Sequence, residues 1–130
     1  MAKIPSMEKI IEFNVLALAI IKAKKSDHSK VMSEIKIMEV LEDCERNKGG
    51  IYDKAAILLK GLTQKHAFAS GNRRTAFIST KHFLEENKAK LGIEDNPANA
   101  KIMLGIREKY YTDNEIKEWI KDGKIREFKR

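Results

Sequence analysis

A chain of 130 residues is long enough for one domain with a buried core, and 26 basic against 19 acidic side chains give it a formal net charge of +7. Its single cysteine, Cys44, excludes an intrachain disulfide, and no cysteine, histidine and carboxylate residues have the spacing of a structural zinc site. The positive charge favours an anionic ligand or partner, or else a solvated surface of ion pairs, because 35% of the residues are charged.

A first helix is predicted from about Met7 to Lys25, and it contains the longest apolar stretch, IIEFNVLALAII. This stretch is too short to span a bilayer and is interrupted by Glu12 and Asn14. Few basic residues precede it, and acidic ones are interleaved with them, which does not suit a signal peptide. We therefore expect a buried first helix, no membrane association and a cytoplasmic protein.

Two further helices are predicted before residue 66. The second runs from about Lys30 to Arg46, with Val31, Ile35 and Met38 at helical spacing on its apolar side. A short hairpin near Val31 or near the glycines at 49 and 50 remains an alternative. The third helix spans about residues 53–66, where Gly61 lowers helix stability but permits a neighbouring helix to approach closely. Its predicted buried residues are Ala55, Ala56, Leu58, Leu59 and Leu62.

The remaining chain predicts three more helices. The fourth covers residues 76–87 and the fifth about residues 98–110, with a turn between them that ends at Pro97. The sixth begins with a capping box, in which Thr112 and Glu115 satisfy each other's backbone N–H groups. Its apolar side is predicted to contain Ile116, Trp119 and Ile120.

The run HAFASGNRRTA, from His66 to Ala76, carries the chemistry. Asn72 is a good N-cap residue, which would place Arg73 and Arg74 in the first turn of the fourth helix. The helix macrodipole disfavours cations there, so their presence indicates a bound anion. Free N–H groups at a helix N-terminus already attract phosphate, and arginine side chains can bind its oxygens in a fork.

This run resembles the core motif of the Fic/Doc family, and more closely that of its Doc (death-on-curing) branch. The preceding stretch, IYDKAAILLKGLTQK, is similar to the Doc helix that leads into the motif. Downstream, Phe83, Leu84 and Asn87 resemble the next helix of the family, and TDNEIKEWI resembles its last one. The resemblance implies an all-α, Fic/Doc-type bundle of about six helices that occupies residues 1–130 as one domain.

The resemblance also assigns roles to the motif residues. Transfer of a phosphoryl or nucleotidyl group to a hydroxyl needs a base, fixed positive charge and a loop that holds the phosphates. By resemblance, His66 is the catalytic base and Arg74 the residue that grips the phosphates. The expected phosphate and nucleotide site is Gly71, Asn72, Arg73 and Arg74, and Phe68 anchors the loop in the core.

Two positions depart from the family pattern. Ser70 stands where the family has an acidic residue that holds Mg²⁺, so we expect weaker metal binding and doubtful activity, with ATP and Mg²⁺ as cofactors. Arg73 stands where AMP-transferring Fic proteins have glycine and the Doc branch has lysine. The second arginine of the AMP-transferring proteins is replaced by Phe77. These positions favour phosphoryl transfer over AMP transfer.

Doc-type proteins are the toxins of toxin–antitoxin pairs and phosphorylate a translation elongation factor on a threonine. The resemblance therefore implies a kinase-type toxin that acts on such a factor. The inhibitory helix string of self-inhibited Fic proteins is missing, so we expect an antitoxin that acts in trans. Three alternatives stay open: a Fic-type AMP transferase, a catalytically impaired nucleotide-binding or interaction module, and a small basic DNA-binding helical protein.

The DNA-binding alternative depends only on the order of the predicted elements around the motif. The helix that ends near residue 66, the glycine turn and the helix that opens with Arg73 and Arg74 resemble a helix-turn-helix. The loop between them is long for that motif, whose turn has three or four residues. Basic residues are also scattered over every predicted helix. Nucleic acid is therefore not the expected partner.

Overall fold

The computed structural model of the chain describes residues 2–21 and 29–129, with only the backbone at position 21. Within these ranges the chain forms six α-helices and no strand, so the predicted all-α bundle of six helices is confirmed. In these same ranges no helix is both long and apolar enough to cross a bilayer. The helices are α1 (Met7–Ile21), α2 (Glu34–Arg46), α3 (Ile51–Gln64), α4 (Asn72–Glu86), α5 (Asn99–Arg107) and α6 (Asp113–Asp122).

Helix α3 is central and packs against α2, α4, α5 and α6. The five alanine and leucine side chains predicted to be buried on it are all buried, which confirms its apolar face. The close approach predicted at Gly61 is also confirmed, since a Cβ atom there would lie 2.8 Å from both methyl carbons of Val40 on α2. The helix begins two residues earlier than predicted because the N–H of Gly50 donates to Asp53 and closes a cap.

Helix α1 is buried on one side only, which corrects the prediction of a buried first helix. Ile10, Phe13 and Ala17 lie in the core and face α4, the helix against which α1 mainly packs. Val15 and Ile20 are more than half exposed, because no described element covers the outer side of α1. The predicted end of this helix, residues 22–25, lies outside the described residues.

Helix α2 begins at Glu34, so the prediction of a helix from Lys30 was wrong. The backbone before Ser33 is extended, and the N–H groups of Met32 and Ser33 donate to the carbonyl of Ala67 at 2.7 and 3.2 Å. The N–H of Ala69 donates in return to the carbonyl of Lys30 at 3.0 Å. These bonds form an isolated antiparallel bridge between Val31 and Phe68, in the loop after α3. The alternative prediction at this place was a short hairpin near Val31.

The predicted apolar side of α2 was also wrong. Ile35 is 71% exposed and Met38 48% exposed, while Ile37, Val40 and Cys44 are buried. The side of α2 that faces the core is therefore not the side predicted from the spacing of Val31, Ile35 and Met38. The prediction counted Val31 as a helical residue, although the bridge holds it outside α2. The buried side of the helix was assigned wrongly as a result.

The C-terminal third agrees with the prediction, except that α5 is shorter, at residues 99–107. The capping box of α6 is present: Thr112 Oγ1 accepts from the Glu115 N–H at 3.1 Å, and the Glu115 carboxylate accepts from the Thr112 N–H at 2.9 Å. The three apolar side chains predicted for α6 are buried. This half of the bundle closes the core on the side of α3 away from α1.

Candidate active site

The loop between α3 and α4 begins with His66, which is exposed and has a left-handed backbone with φ of 50°. The prediction that α3 reaches His66 was wrong, since the helix ends at Gln64. Lys88 and Lys109 have the same conformation just after α4 and α5, so the left-handed φ reflects how these helices end. The imidazole has no hydrogen-bond partner among the described side chains and faces solvent, where it is available as a base.

Phe68 and Asn72 hold the loop together. Phe68 is buried, as predicted, and its N–H donates to Asn72 Oδ1 at 3.1 Å. Asn72 Nδ2 donates back to the carbonyl of Phe68 at 2.8 Å. The amide of Asn72 is thus bound within the loop, so this residue offers a phosphate its backbone N–H and not its side chain.

Asn72 is not the N-cap of α4, which corrects the sequence prediction. Gly71 takes that position with φ of 76°, a left-handed conformation that glycine adopts without steric cost. The turn at Gly71 lets the helix start one residue earlier, and Asn72 becomes its first residue. Arg73 and Arg74 lie in the first turn, as predicted.

The N-terminus of α4 has free hydrogen-bond donors. Thr75 is the first residue of this helix whose N–H is bonded, to the carbonyl of Gly71 at 2.9 Å. The N–H groups of Asn72, Arg73 and Arg74 have no acceptor within the described ranges. Together with the positive end of the helix macrodipole, these groups form a site that suits phosphate.

Both arginine side chains at this end are exposed. In the part of the chain that the structure describes, no carboxylate lies within 4.0 Å of either guanidinium, and neither donates a hydrogen bond. An ion pair between Arg74 and a carboxylate on a neighbouring helix, which would give this arginine a purely structural role, is therefore not seen there. Two cations at a helix end that disfavours them are explained if they bind an anion.

Asn14 and Ser29 also reach the site, and the sequence analysis did not identify either. Asn14 lies on α1 with no exposed surface, and its Nδ2 donates to the carbonyl of Ser70 at 2.9 Å and to Thr75 Oγ1 at 3.0 Å. Ser29 Oγ donates to Asn14 Oδ1 at 2.8 Å. The available signal was one amide within an otherwise apolar stretch, since a buried polar side chain needs partners.

The donor set of the site suits phosphate oxygens better than a protein-bound Mg²⁺. Free N–H groups and two guanidiniums match phosphate oxygens. For Mg²⁺ the loop supplies only the hydroxyl of half-buried Ser70, because residues 66–74 contain no carboxylate. No group of three or more histidine, cysteine or acidic residues that could hold a metal occurs among the residues the structure describes. The cation would be held mainly by the nucleotide.

Two comparisons with known proteins bear on this arrangement. A model of the Fic/DOC family matches residues 17–84, which is just over half of the chain. The match includes the last five residues of α1, helices α2 and α3, the whole loop between α3 and α4, and most of α4. A comparison with curated proteins gave no match.

Proposed function

The chain belongs to the Fic/DOC family, and on that basis we propose that it transfers the γ-phosphoryl group of ATP to a hydroxyl of another protein. The observation that carries this proposal is the N-terminus of α4, where three N–H groups and two arginine side chains have no partner among the described residues. Exposed His66 begins the same short loop. The coarser activity is general for the family, whose members transfer nucleotide groups to proteins. The choice of the γ position is the finer proposal.

In the proposed reaction, His66 takes the proton of the substrate hydroxyl. The hydroxyl oxygen forms a bond to the γ-phosphorus as the bond from that phosphorus to the β–γ bridging oxygen breaks, and ADP leaves. Arg74 and the N–H groups at the start of α4 stabilise the negative charge on the phosphate oxygens. Gly71 gives the loop its left-handed turn without steric cost, and Asn72 and Phe68 fix the loop backbone.

Arg73 favours the γ position. AMP-transferring relatives resembling this chain have glycine there, and a long guanidinium in its place narrows the space for the nucleotide orientation that they use. Arg73 is exposed at the second position of α4, directly beside the free N–H groups. A planar fork with several donors binds two phosphate oxygens at once, which strengthens the phosphate site at the same time.

The proposed setting is a toxin–antitoxin pair in the cytoplasm, with a translation elongation factor as substrate and an antitoxin that acts in trans. The Doc-like motif supports the substrate class. A protein partner is supported by the large apolar side chains that are exposed on α1, on α2 and just before α2, since exposed apolar surface is typical of interaction sites. These side chains include Val15, Leu16, Ile20, Met32, Ile35 and Met38.

A second candidate is a nucleotide-binding protein with little turnover. Ser70 favours it, because the loop lacks the carboxylate that would hold Mg²⁺ against the phosphates. In this case ATP binds at α4 and transfer is slow. AMP transfer, the other enzymatic alternative, is disfavoured by Arg73.

The test is label transfer. The purified chain is incubated with a translation extract and Mg²⁺, with ATP labelled at either the α or the γ phosphate. We expect a protein to be labelled from the γ position only, and we expect His66→Ala to lose this labelling. His82→Ala is the control and should keep it, because His82 lies outside the loop, where it is half-buried beside Glu86. Label from the α position would show AMP transfer and contradict the role of Arg73.

A further inference from the structure

We propose that Asn14 is a positioning residue for the phosphate loop, and that it sets the direction of the peptide group between Ser70 and Gly71. This inference rests on the proposed function, since it concerns the same loop. It adds a residue from outside the motif, 56 positions before Ser70 in the sequence. It also makes the N-terminal helix part of the phosphate site.

The hydrogen bonds of Asn14 join four segments. Its Nδ2 uses both hydrogens, one on the carbonyl of Ser70 and one on Thr75 Oγ1, at 2.9 and 3.0 Å. Its Oδ1 accepts from Ser29 Oγ at 2.8 Å. The side chain has no exposed surface, so these bonds are made without competition from water. A buried, fully bonded amide of this kind fixes the groups that it contacts.

The bond to Ser70 has a geometric consequence. The peptide group between Ser70 and Gly71 is planar and trans, so its N–H points opposite to its C=O. Asn14 holds the carbonyl toward α1, and the N–H of Gly71 therefore points away from α1. Among the described residues this N–H has no acceptor, like the N–H groups of the first three residues of α4.

Helix α1 also supports the glycine itself. A Cβ atom at Gly71 would lie 3.2 Å from Leu18 Cδ2 and 3.3 Å from Asn14 Nδ2. The left-handed backbone at Gly71 thus packs directly on two side chains of α1. Asn14 supplies the polar contact and Leu18 the apolar one, so the loop has a rigid support on the side opposite its free N–H.

Only an uncharged side chain with both a donor and an acceptor at this position fits the three contacts. In an Asn14→Asp protein the new carboxylate would still accept from Ser29, but it would face the carbonyl of Ser70 without a proton to donate. Asn14→Leu keeps the volume and removes every bond. Ser29→Ala removes only the contact on the far side of the amide, so its effect on the loop should be smaller.

Asn87 provides a matched control. It also makes three hydrogen bonds to backbone groups, two with Lys3 at 2.7 and 3.0 Å and one with Phe83 at 2.7 Å. It lies at the other end of α4, just past the C-terminus. Asn87→Ala should therefore destabilise the protein without changing the phosphate loop.

The experiment measures amide hydrogen exchange of the free proteins and their affinity for ATP, at a temperature where each is folded. In Asn14→Asp and Asn14→Leu we expect faster exchange at Phe68, Ala69 and Thr75, whose N–H groups are bonded only while the loop is in place. The amides of α3 should keep their protection. ATP affinity should fall about tenfold, the effect of losing one buried hydrogen bond that orients a donor.

Three results are decisive. Selective exchange at the loop together with weaker ATP binding supports the role of Asn14, provided that Asn87→Ala shows neither. Unchanged loop exchange, or unchanged ATP affinity in the Asn14 variants, overturns it. If the unaltered protein does not bind ATP at all, the proposed function fails instead, and loop exchange by itself then decides whether Asn14 positions the loop. If Asn14→Asp does not fold, Asn14→Leu gives the same comparison, and Ser29→Ala should show the same changes to a smaller extent.

Discussion

Asn72 and Phe68 bond to each other twice: the Phe68 N–H donates to Asn72 Oδ1, and Asn72 Nδ2 donates to the Phe68 carbonyl. This pair closes the loop into a ring, with the Phe68 side chain buried beneath it. The side chain of the motif asparagine therefore shapes the loop, and its backbone N–H is the group left for a ligand. The Oδ1 atom and one hydrogen of Nδ2 are both used within the loop.

Asn72→Ala should lower both stability and transfer. The substitution leaves the buried N–H and C=O of Phe68 without partners, which costs about 1–3 kcal/mol of unfolding free energy. Denaturant unfolding would measure this loss, and label transfer from ATP would measure the effect on function. Equal stability and activity in the variant would show that the ring of bonds is dispensable.

His66→Gly should abolish transfer and raise stability. Glycine adopts the left-handed φ of 50° at this position without the steric cost that histidine has, so we expect a gain of about 0.5–1 kcal/mol after the greater chain entropy of unfolded glycine is counted. Loss of the base should reduce the transfer rate by about 100-fold or more. Lys109 has the same left-handed backbone just after α5, so the Lys109→Gly protein should be more stable than the unaltered protein and should remain active.

Arg74→Ala should reduce the transfer rate by about 100-fold, the typical effect of removing one charge-stabilising group. Since the guanidinium has no carboxylate partner among the described residues and lies at the disfavoured end of α4, stability should not fall. Arg46→Ala removes the same charge from an exposed pair with Glu42 on α2 and should retain full transfer. A matching loss in both variants would indicate a general effect of net charge.

Ser70→Asp should raise the affinity of the ATP-bound protein for Mg²⁺ by about tenfold, because a carboxylate adds a charged oxygen ligand. Transfer measured across a Mg²⁺ titration should then saturate at lower metal concentration. Ser70→Ala should bind ATP normally, since Asn14 contacts the carbonyl of this residue and not its hydroxyl. A Ser70→Asp protein with unchanged Mg²⁺ dependence would exclude position 70 as a metal ligand.

Stability should fall in acid, partly through Glu115. Hydrogen bonds from the Arg126 guanidinium, and then from the Thr112 N–H, lower the pKa of Glu115 from 4.5 to about 2. A carboxyl whose pKa is lower in the folded state stabilises the fold above its unfolded pKa, and this stabilisation is lost as the pH falls from about 5 toward 2. Unfolding of Glu115→Gln should show less of this pH dependence, and curves of identical shape would contradict the assignment.

The sequence predicted most of the fold because helical periodicity and caps are local signals. The buried face of α3 and the capping box at Thr112 both follow from spacing alone. The start of α2 could not be predicted in this way. The segment around Val31 is not helical because its backbone pairs with the loop after α3, and that pairing depends on residues far along the chain.

The sequence likewise predicted some residues of the candidate site and missed others. His66, Gly71 and the two arginines were identified from the motif; in the structure Gly71 and the arginines lie at the start of α4, and His66 lies at the other end of the same loop, just after α3. Asn14 was not identified, because its role depends on where α1 packs. The N-cap at Asn72 was misassigned since a left-handed glycine competes with asparagine for that position, and propensity alone does not decide between them.

The bridge between Val31 and Phe68 and the bonds of Asn14 have a consequence for how the chain folds. Both tie the phosphate loop to segments made before it, so closing the loop requires long-range contacts, which form slowly compared with a helix. During synthesis these upstream segments leave the ribosome first. Every segment to which the loop between α3 and α4 is bonded has therefore been made by the time α4 emerges.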